Sequence, residues 1–186
     1  MEEVAQFRPY TLIKEGIITE FHYPQNQFFC ASKENLLLFL GKEPNMKWNE
    51  YVENIFFLGK EFGVKRIYFI GSVSGLIPHT REPRVTCSVS DERLKKELEG
   101  YNLYFNDYEG PASITTLFTL MAPQKGVEMI NLVVEIPMYI QATNPKGISS
   151  ALGILSSLLN LPLVGEDLVN MSEEFDRNVE QLVKKY

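Results

Sequence analysis

The sequence predicts an α/β protein with a three-layer αβα sandwich and a mainly parallel central sheet. Three observations lead to this fold class. Strand-like apolar runs alternate with segments of helical spacing through the last two-thirds of the chain, which is typical of parallel sheets covered by helices. The run 129–136 is almost entirely apolar, as in a strand buried on both faces. The chain has 186 residues and is 45% hydrophobic, which suits one domain with a full core. We therefore expect a single α/β domain over residues 1–186.

The first 45 residues indicate short β elements. The segment 12–21 contains two pieces that Gly16 separates, and two more strands are predicted over 27–31 and 35–40. The last of these is a continuous apolar run, so we expect it to be buried on both faces.

Helices and strands then follow one another to the end of the chain. Trp48, Tyr51 and Val52 begin an apolar stripe with helical spacing, and Gly63 is placed to end that helix. Pro145, directly after Asn144, is typical of a first helical position. In order, the predicted elements are a helix over 47–62, strands over 66–70 and 85–89, a short helix capped by Ser90, a weak strand over 103–105, a helix opened by 110–113, a strand over 129–136, a helix after Asn144, and a helix over 172–185. The last helix is amphipathic. Its predicted inward residues are Phe175, Val179, Leu182 and Val183, and its predicted solvated residues are Glu173, Glu174, Asp176 and Glu180.

Composition excludes several classes of function. The net charge of −6 and the pI near 5.1 oppose nucleic-acid binding, which needs a basic surface. No apolar run is long enough to span a membrane, and the acidic start lacks the apolar region of a secretory signal, so we expect a cytoplasmic protein. Cys30 and Cys87 are interpreted as buried free thiols. The wide spacing of these thiols from His22 and His79 gives no support to a metal site, and no cofactor is expected.

The segment 71–85 contains the densest set of functional groups. We expect a strand to end at Gly71-Ser72 and to open into a long polar loop at the carboxyl edge of the sheet, where open α/β folds bind ligands. The stretch 71–75, which includes Ser74, lacks the lysine and the following helix of a phosphate-binding loop. Its glycines are therefore expected to let the chain turn sharply off the strand.

Charged side chains follow in the same loop. Arg81 and Arg84 lie close in sequence to Glu82 and could together bind a carboxylate or phosphate. Alternatively these groups pair with one another or with a neighbouring subunit, and we favour this interface interpretation. His79 has no nucleophile and orienting acid that the sequence can assign to it, so no catalytic set is predicted.

Glu135 is a carboxylate in an otherwise apolar strand and requires a partner. Arg81 or Arg84 is the expected partner, because strands 66–70 and 129–136 should end at the same edge. Either this is a structural ion pair, or Glu135 lines a ligand pocket with Tyr139, Gln141 and Asn144.

Ser113 follows Gly110-Pro111-Ala112 and either caps the next helix or contributes to an anion site at the helix start. The candidate interface or ligand residues are thus Ser74, His79, Arg81, Glu82, Arg84, Ser113, Glu135, Tyr139 and Asn144.

The pattern GxxSGxxPHTREPRV over 71–85, with the downstream pattern GP-S, E-P-Y and NPK, resembles the proteasome assembly chaperone 2 family from about Asn49 to about Leu163. The resemblance implies a phosphorylase-like architecture and a non-enzymatic protein that works by protein–protein contact as a homo-oligomer, with proteasome subunits as possible partners. The alternative is a small-ligand-binding protein or enzyme that uses the Arg/Glu/His edge for an anionic or glycosyl ligand.

The sequence departs from the family pattern at both ends. Family members open with a strand and a glycine-rich turn that leads into a helix, and nothing here matches that unit. Either the protein has lost this first βα unit or the chain is a fragment, and we favour the second. Some members also dock into the proteasome core through a tail of a hydrophobic residue, tyrosine and any residue. Here Tyr186 is last and follows Lys185, which opposes docking by that route unless residues have been lost from this end.

Overall fold

The computed structural model describes residues 8–105, 107–140 and 142–183, which divide into two compact units. The first unit contains the residues up to Lys65 together with Ala112–Val127, and the second contains Arg66–Pro111 together with the residues from Glu128 onward. The elements in chain order are β1 (Tyr10–Lys14), β2 (Ile17–His22), β3 (Gln27–Ala31), β4 (Leu36–Leu40), α1 (Trp48–Glu61), β5 (Arg66–Gly75), β6 (Val85–Val89), α2 (Glu92–Glu97), α3 (Ile114–Met121), a 3₁₀ turn (Ala122–Lys125), β7 (Glu128–Pro137), α4 (Pro145–Leu159) and α5 (Glu166–Val183).

Two antiparallel hairpins, β1–β2 and β3–β4, open the first unit. The predicted separation at Gly16 is confirmed: Glu15 and Gly16 both have positive φ angles, of 49° and 80°, as the tight turn requires. The prediction that β4 is buried on both faces is wrong, because Leu38, Phe39 and Leu40 are exposed. Among the described residues β4 pairs with β3 alone, in a two-stranded ladder, and neither face of so small a ladder is fully covered.

Helices α1 and α3 form the packed part of the first unit. Tyr51, Val52 and Phe56 are buried along α1, as the predicted stripe requires, and Gly63, with a φ angle of 69°, ends the helix. The rings of Phe56 and Phe118 lie 5.5 Å apart between centroids. This packing confirms the apolar stripe predicted for α1 and shows that α3 supplies an aromatic side chain against it.

A three-stranded sheet in the order β5–β7–β6 forms the centre of the second unit. β5 runs parallel to β7 over ten residue pairs, but β6 runs antiparallel to β7 over five, so the sheet is mixed and the prediction of a mainly parallel sheet is confirmed only in part. The reason lies in the connection from β5 to β6. A parallel neighbour needs a crossover, usually a helix, and residues 76–84 contain none.

One face of this sheet supports the hydrophobic core of the second unit. The core residues come from β6, α2, β7 and α4, and they are Val85, Cys87, Leu94, Leu98, Ile130, Leu132, Val134 and Ala151. Helix α2 is capped by Asp91, whose Oδ1 accepts from the Arg93 backbone N–H at 2.8 Å, and not by Ser90 as predicted. The hydroxyl of Ser90 instead accepts from the backbone N–H of Met129 at 2.9 Å, which ties the end of β6 to β7.

The last two helices follow β7. Asn144 caps α4 as predicted, with its Oδ1 accepting from the Gly147 N–H at 2.9 Å. Helix α5 begins at Glu166, earlier than predicted, and buries Val179. The predicted inward side chains of Leu182 and Val183, and the residues Lys185 and Tyr186, lie outside the described part of the chain.

Candidate functional site

Strand β5 ends later than the sequence predicts, and this changes the site. The strand continues through Gly75, with Ser74 paired to Ile136 and Gly75 to Pro137 of β7, so 71–75 is neither a loop nor a sharp turn. The glycine at 75 is needed for space: a Cβ there would lie 2.7 Å from Oε1 of Glu135. The polar loop is therefore 76–84, and it begins beside the carboxyl end of β7.

Arg81 reaches back from this loop to form an ion pair with Glu135. Both side chains are about one-third exposed, at 32% and 27%. Of the two arginines that the sequence offered, Arg81 is thus the partner of the strand carboxylate. The guanidinium of Arg84 lies over the ring of Tyr104, 5.2 Å from the centroid, which is a cation–π contact.

His79 and Tyr139 form the second contact of the loop. The Tyr139 hydroxyl oxygen accepts from the His79 backbone N–H at 2.6 Å and lies 2.8 Å from Nδ1 of the same residue. Since the hydroxyl oxygen already accepts, its proton is free to be donated to Nδ1, which favours the tautomer with the proton on Nε2. Nε2 of His79 and Nε of Arg81 are both buried and have no hydrogen-bond partner among the described residues.

Lys146 joins Glu82 to helix α5. Its ammonium lies 3.3 Å from Glu82 and 3.2 Å from Asp176. Partial burial opposes the charge on Lys146, but its hydrogen bonds and charge pairing with Asp176 and Glu82 outweigh that cost, and its pKa lies above the ordinary value. Asp176 is therefore engaged and half-buried, not on the solvated face as predicted.

An open cavity of about 290 Å³ lies beside these three residues and is also lined by Ser149 and Ser172. Sequence reasoning missed Lys146. The available signal was its position in the first turn of α4, directly after the Asn144-Pro145 cap.

The remaining predicted residues take other places. Ser113 belongs to the first unit and is the N-cap residue of α3, with its N–H bonded to Thr116 Oγ1 at 3.4 Å, in agreement with the capping interpretation. Ser74 is exposed near the end of β5, and Asn144 is buried as the cap of α4. Gln141 lies outside the described residues.

The predicted pair of buried thiols is half right. Cys87 is buried in the core of the second unit, and this burial raises its pKa to about 11. Cys30 is exposed on β3, 3.4 Å from the Ser32 hydroxyl, so its predicted burial is wrong. Within residues 8–105, 107–140 and 142–183, no cluster of histidine, cysteine and acidic side chains could hold a metal ion, and no helix is long and apolar enough to cross a membrane.

A charge cluster that the sequence analysis missed lies at the opposite end of β5. Arg66 donates to Glu128 at 2.7 Å and to Glu97 at 2.9 Å. The hydrogen bond from Arg66 lowers the pKa of Glu97, and the same bond raises the pKa of Arg66. Arg66 and Glu128 are the first residues of two parallel strands and are paired in register. The signal available in the sequence was that Arg66 begins one predicted strand and Glu128 directly precedes the other.

Comparison with known proteins places this arrangement in a family. Residues 1–183 match the PAC2 family, a longer match than the resemblance over 49–163 predicted. No curated protein matches the chain.

Solved structures agree in fold. A PAC2 family protein from Streptomyces avermitilis is 26% identical, with a TM-score of 0.79, and the match covers 94% of this chain and 75% of that one. A proteasome-assembly chaperone homologue from Mycobacterium tuberculosis is 20% identical, with a TM-score of 0.80 over 97% of this chain and 80% of that one. An archaeal homologue of the proteasome-assembly chaperone from Pyrococcus furiosus is 18% identical, with a TM-score of 0.71 over 95% of this chain and 71% of that one. On the match over 1–183, the chain with the Arg81–Glu135 and His79–Tyr139 contacts belongs to the PAC2 family.

Proposed function

We propose that the protein is a non-enzymatic assembly chaperone that acts in the cytoplasm through protein–protein contacts, as a homo-oligomer, with proteasome subunits among its partners. The observation that carries this proposal is the family match over residues 1–183. Two of the similar solved structures are homologues of proteasome-assembly chaperones, and a third, from Pyrococcus furiosus, is an archaeal proteasome activator.

Exposed apolar side chains in the first unit support a role in protein contact. The hairpin β1–β2 exposes Ile17, Ile18 and Phe21 by 68%, 63% and 55% of their surfaces. The hairpin β3–β4 similarly exposes Phe29 and Leu40. Large apolar side chains that are this exposed are candidates for contact with another protein.

Size-exclusion chromatography with light scattering tests the proposal, with the protein alone and mixed with proteasome α subunits. The expected result is an oligomer that moves to a larger complex when α subunits are added. The proteasome part of the proposal would be refuted if the elution profile did not change when α subunits were added at concentrations well above the Kd of a typical assembly contact.

The variant Ile18→Glu tests in the same experiment whether the β1–β2 hairpin contacts the α subunits. It adds one negative charge to an exposed apolar position, so the α-subunit complex should weaken by tenfold or more, or about 1.4 kcal/mol. Gln25→Glu is the matched control, because it adds the same charge at an exposed polar position of the same unit. Equal weakening by both variants would indicate a charge effect and not an apolar contact.

A second candidate function, binding of an anionic or glycosyl ligand at the 76–84 loop, is favoured by the buried Nε2 of His79 and Nε of Arg81. Both are donors in the tautomer that Tyr139 favours, so the ligand would present hydrogen-bond acceptors. Calorimetric titration with inorganic phosphate and with a sugar phosphate tests it, with His79→Ala as the comparison. Binding that persists unchanged in His79→Ala would exclude this site.

Two finer features of the architecture also belong to this proposal. They are the three-layer sandwich with its phosphorylase-like character, and a single domain over 1–186. Limited proteolysis tests the single domain, because a protease would cut the chain between two units that are stable independently of each other.

A further inference from the structure

The loop over residues 76–84 lies at the carboxyl end of β7 and is held there by three pairs of side chains. Each pair joins a different loop residue to a different part of the second unit: the end of β7, the turn that follows β7, and the first turn of α4. The pairs are Arg81 with Glu135, His79 with Tyr139, and Glu82 with Lys146. Lys146 is bonded in turn to Asp176 of α5 at 3.2 Å. The position of the loop is therefore fixed by three separate anchors.

The three anchoring residues lie within one stiff segment of the loop. Pro78 and Pro83 bound this segment, and each proline fixes its own φ angle and restricts the residue before it. Between them the backbone N–H of Arg81 donates to the carbonyl of Pro78 at 3.2 Å, which closes a tight turn. A segment of this kind moves as a body, so the release of one anchor should loosen the other two.

Polar contacts, with little apolar burial, keep the loop in place. Within residues 76–84, all of which the structure describes, Ile77 is the one buried apolar side chain, whereas Leu76 is 92% exposed. The side chain of Glu82 is 84% exposed, so its pairing with Lys146 contributes little. Because water can replace each of these polar contacts, we expect the loop to open more easily than the strands on either side of it.

The closed loop also buries two hydrogen-bond donors. Nε2 of His79, in the tautomer that Tyr139 favours, and Nε of Arg81 are buried and have no hydrogen-bond partner among the described residues. An unpaired buried donor costs free energy that hydration recovers once the loop opens. The same burial means that a ligand can reach these two atoms only while the loop is open.

We propose that residues 76–84 form a lid, which opens and closes as one unit and controls access to His79 and Arg81. The closed lid covers these two donors, and the open lid exposes them to solvent and to a ligand. As a gate, the lid deepens the second candidate function, ligand binding at this loop, and rests on that function for its ligand. The opening itself requires no ligand and is tested in the free protein.

Trypsin measures the opening of the lid directly. The protease must take the arginine side chain into its own binding pocket, so it cannot cut after Arg81 while that side chain is bonded to Glu135. The peptide bond after Arg84 is an internal reference, because the Arg84 carbonyl accepts from the Glu135 N–H at 2.9 Å and Val85 begins β6. Mass spectrometry of the first fragments should show that the wild type is cut after Arg81 well before it is cut after Arg84.

Variants of the anchors test whether the lid moves as one unit. Lys146→Gln removes the anchor on α4, which is bonded to Glu82, whereas Arg81 is bonded to Glu135. Since cleavage follows the open population, one lid predicts cleavage after Arg81 that is about two- to fivefold faster in Lys146→Gln and about tenfold faster in Glu135→Gln. Lys96→Gln removes an exposed lysine from the same unit and should leave the rate unchanged. A wild-type rate in Lys146→Gln would show that the anchors act independently, which overturns the lid.

Amide hydrogen exchange gives a second reading from a different anchor. The backbone N–H of His79 is bonded to the Tyr139 hydroxyl and should exchange only when the lid opens. Two probes of one transition change by the same factor, so Lys146→Gln should accelerate the exchange of His79 as much as it accelerates cleavage after Arg81. The N–H of Cys87 in β6, which is also hydrogen-bonded, is the control. Equal protection of His79 and Cys87 in the wild type would mean that the loop opens only with the sheet, and the lid would be refuted.

Inorganic phosphate separates the lid from its ligand. If phosphate binds the two donors beneath the closed lid, a saturating concentration should slow cleavage after Arg81 in the wild type but not in His79→Ala. Coincident changes in cleavage and exchange, without a response to phosphate, support the lid and refute phosphate as its ligand. Phosphate binding that calorimetry detects while cleavage after Arg81 stays the same places phosphate outside the lid and overturns its role as a gate.

Discussion

Gly75 lies against the side chain of Glu135 so closely that a Cβ at position 75 would come within 2.8 Å of its Cγ and 2.7 Å of its Oε1. Glu135 is held there by Arg81. The glycine at the end of β5 is therefore a spatial requirement of the ion pair on the neighbouring strand. Its φ angle lies outside the left-handed region, so backbone freedom is not the reason for it.

Replacing Gly75 should disturb the Arg81–Glu135 pair. Gly75→Ala forces the carboxylate away from its position, and we expect a loss of about 1–3 kcal/mol in the free energy of unfolding. Gly153→Ala is the control, since a Cβ there meets nothing within 4 Å and alanine favours the helix by about 0.5–1 kcal/mol. Urea unfolding measures both, and equal stability of wild type and Gly75→Ala would show that Glu135 moves without cost.

The two loop arginines should contribute unequally to stability. Arg81→Ala leaves the partly buried carboxylate of Glu135 without its partner, and we expect a loss of about 1–3 kcal/mol. Arg84→Ala removes a cation–π contact with an exposed tyrosine, worth about 0.5–1 kcal/mol. A double-mutant cycle with Glu135→Gln isolates the ion pair. Zero coupling in that cycle would contradict a structural role of the Arg81–Glu135 pair and would favour the interpretation that these side chains bind a ligand.

The two thiols should differ in reactivity. Cys30 is exposed and should react with a disulfide reagent at pH 8 within seconds to minutes, whereas buried Cys87, with a pKa of about 11, should react only when the second unit opens. Cys30→Ser should remove the fast phase and leave the slow one. Two fast phases in the wild type would mean that Cys87 is accessible.

The raised pKa of Cys87 also predicts a fall of stability in alkali. In the unfolded chain this thiol ionises near pH 8.5, whereas in the folded chain it stays protonated until about pH 11. The unfolded state therefore binds fewer protons in this interval, and the free energy of unfolding should decrease as the pH rises from about 8.5 to 11. In Cys87→Ala this part of the pH dependence should disappear.

Glu97 should produce the opposite dependence in acid. Hydrogen bonding to Arg66 lowers its pKa below the ordinary value, so its contribution is complete above that value and is lost as the pH falls through the folded pKa. Glu97→Gln should cost no more than about 1 kcal/mol at pH 7, because its side chain is 48% exposed, and should flatten the stability profile below about pH 4.3. Glu92→Gln, exposed in the same helix, serves as control, and an equal effect of both would exclude the Arg66 bond as the cause.

Local patterns predicted the elements well. The hairpin at Gly16, helix α1 with its stop at Gly63, and the cap of α4 by Asn144 all follow from turn and cap chemistry within a few residues of the chain. The sequence predicted that the ion-pair partner of Glu135 is either Arg81 or Arg84. The sequence left that choice open, because Arg81 and Arg84 belong to one loop and the path of this loop depends on contacts such as that between His79 and Tyr139.

Other features depended on which strands become neighbours. The apolar run of β4 has the composition of a buried strand, yet in the part of the chain that the structure describes it pairs with β3 alone, and Leu38 and Leu40 remain exposed. The glycines of 71–75 have the composition of a turn, yet pairing with β7 keeps them in a strand. The sequence by itself determined the positions of helices, turns and caps, because those depend on interactions between residues close along the chain. Only the tertiary structure decided the direction of β6 and the choice of Arg81, because pairing and burial depend on residues far apart in the chain.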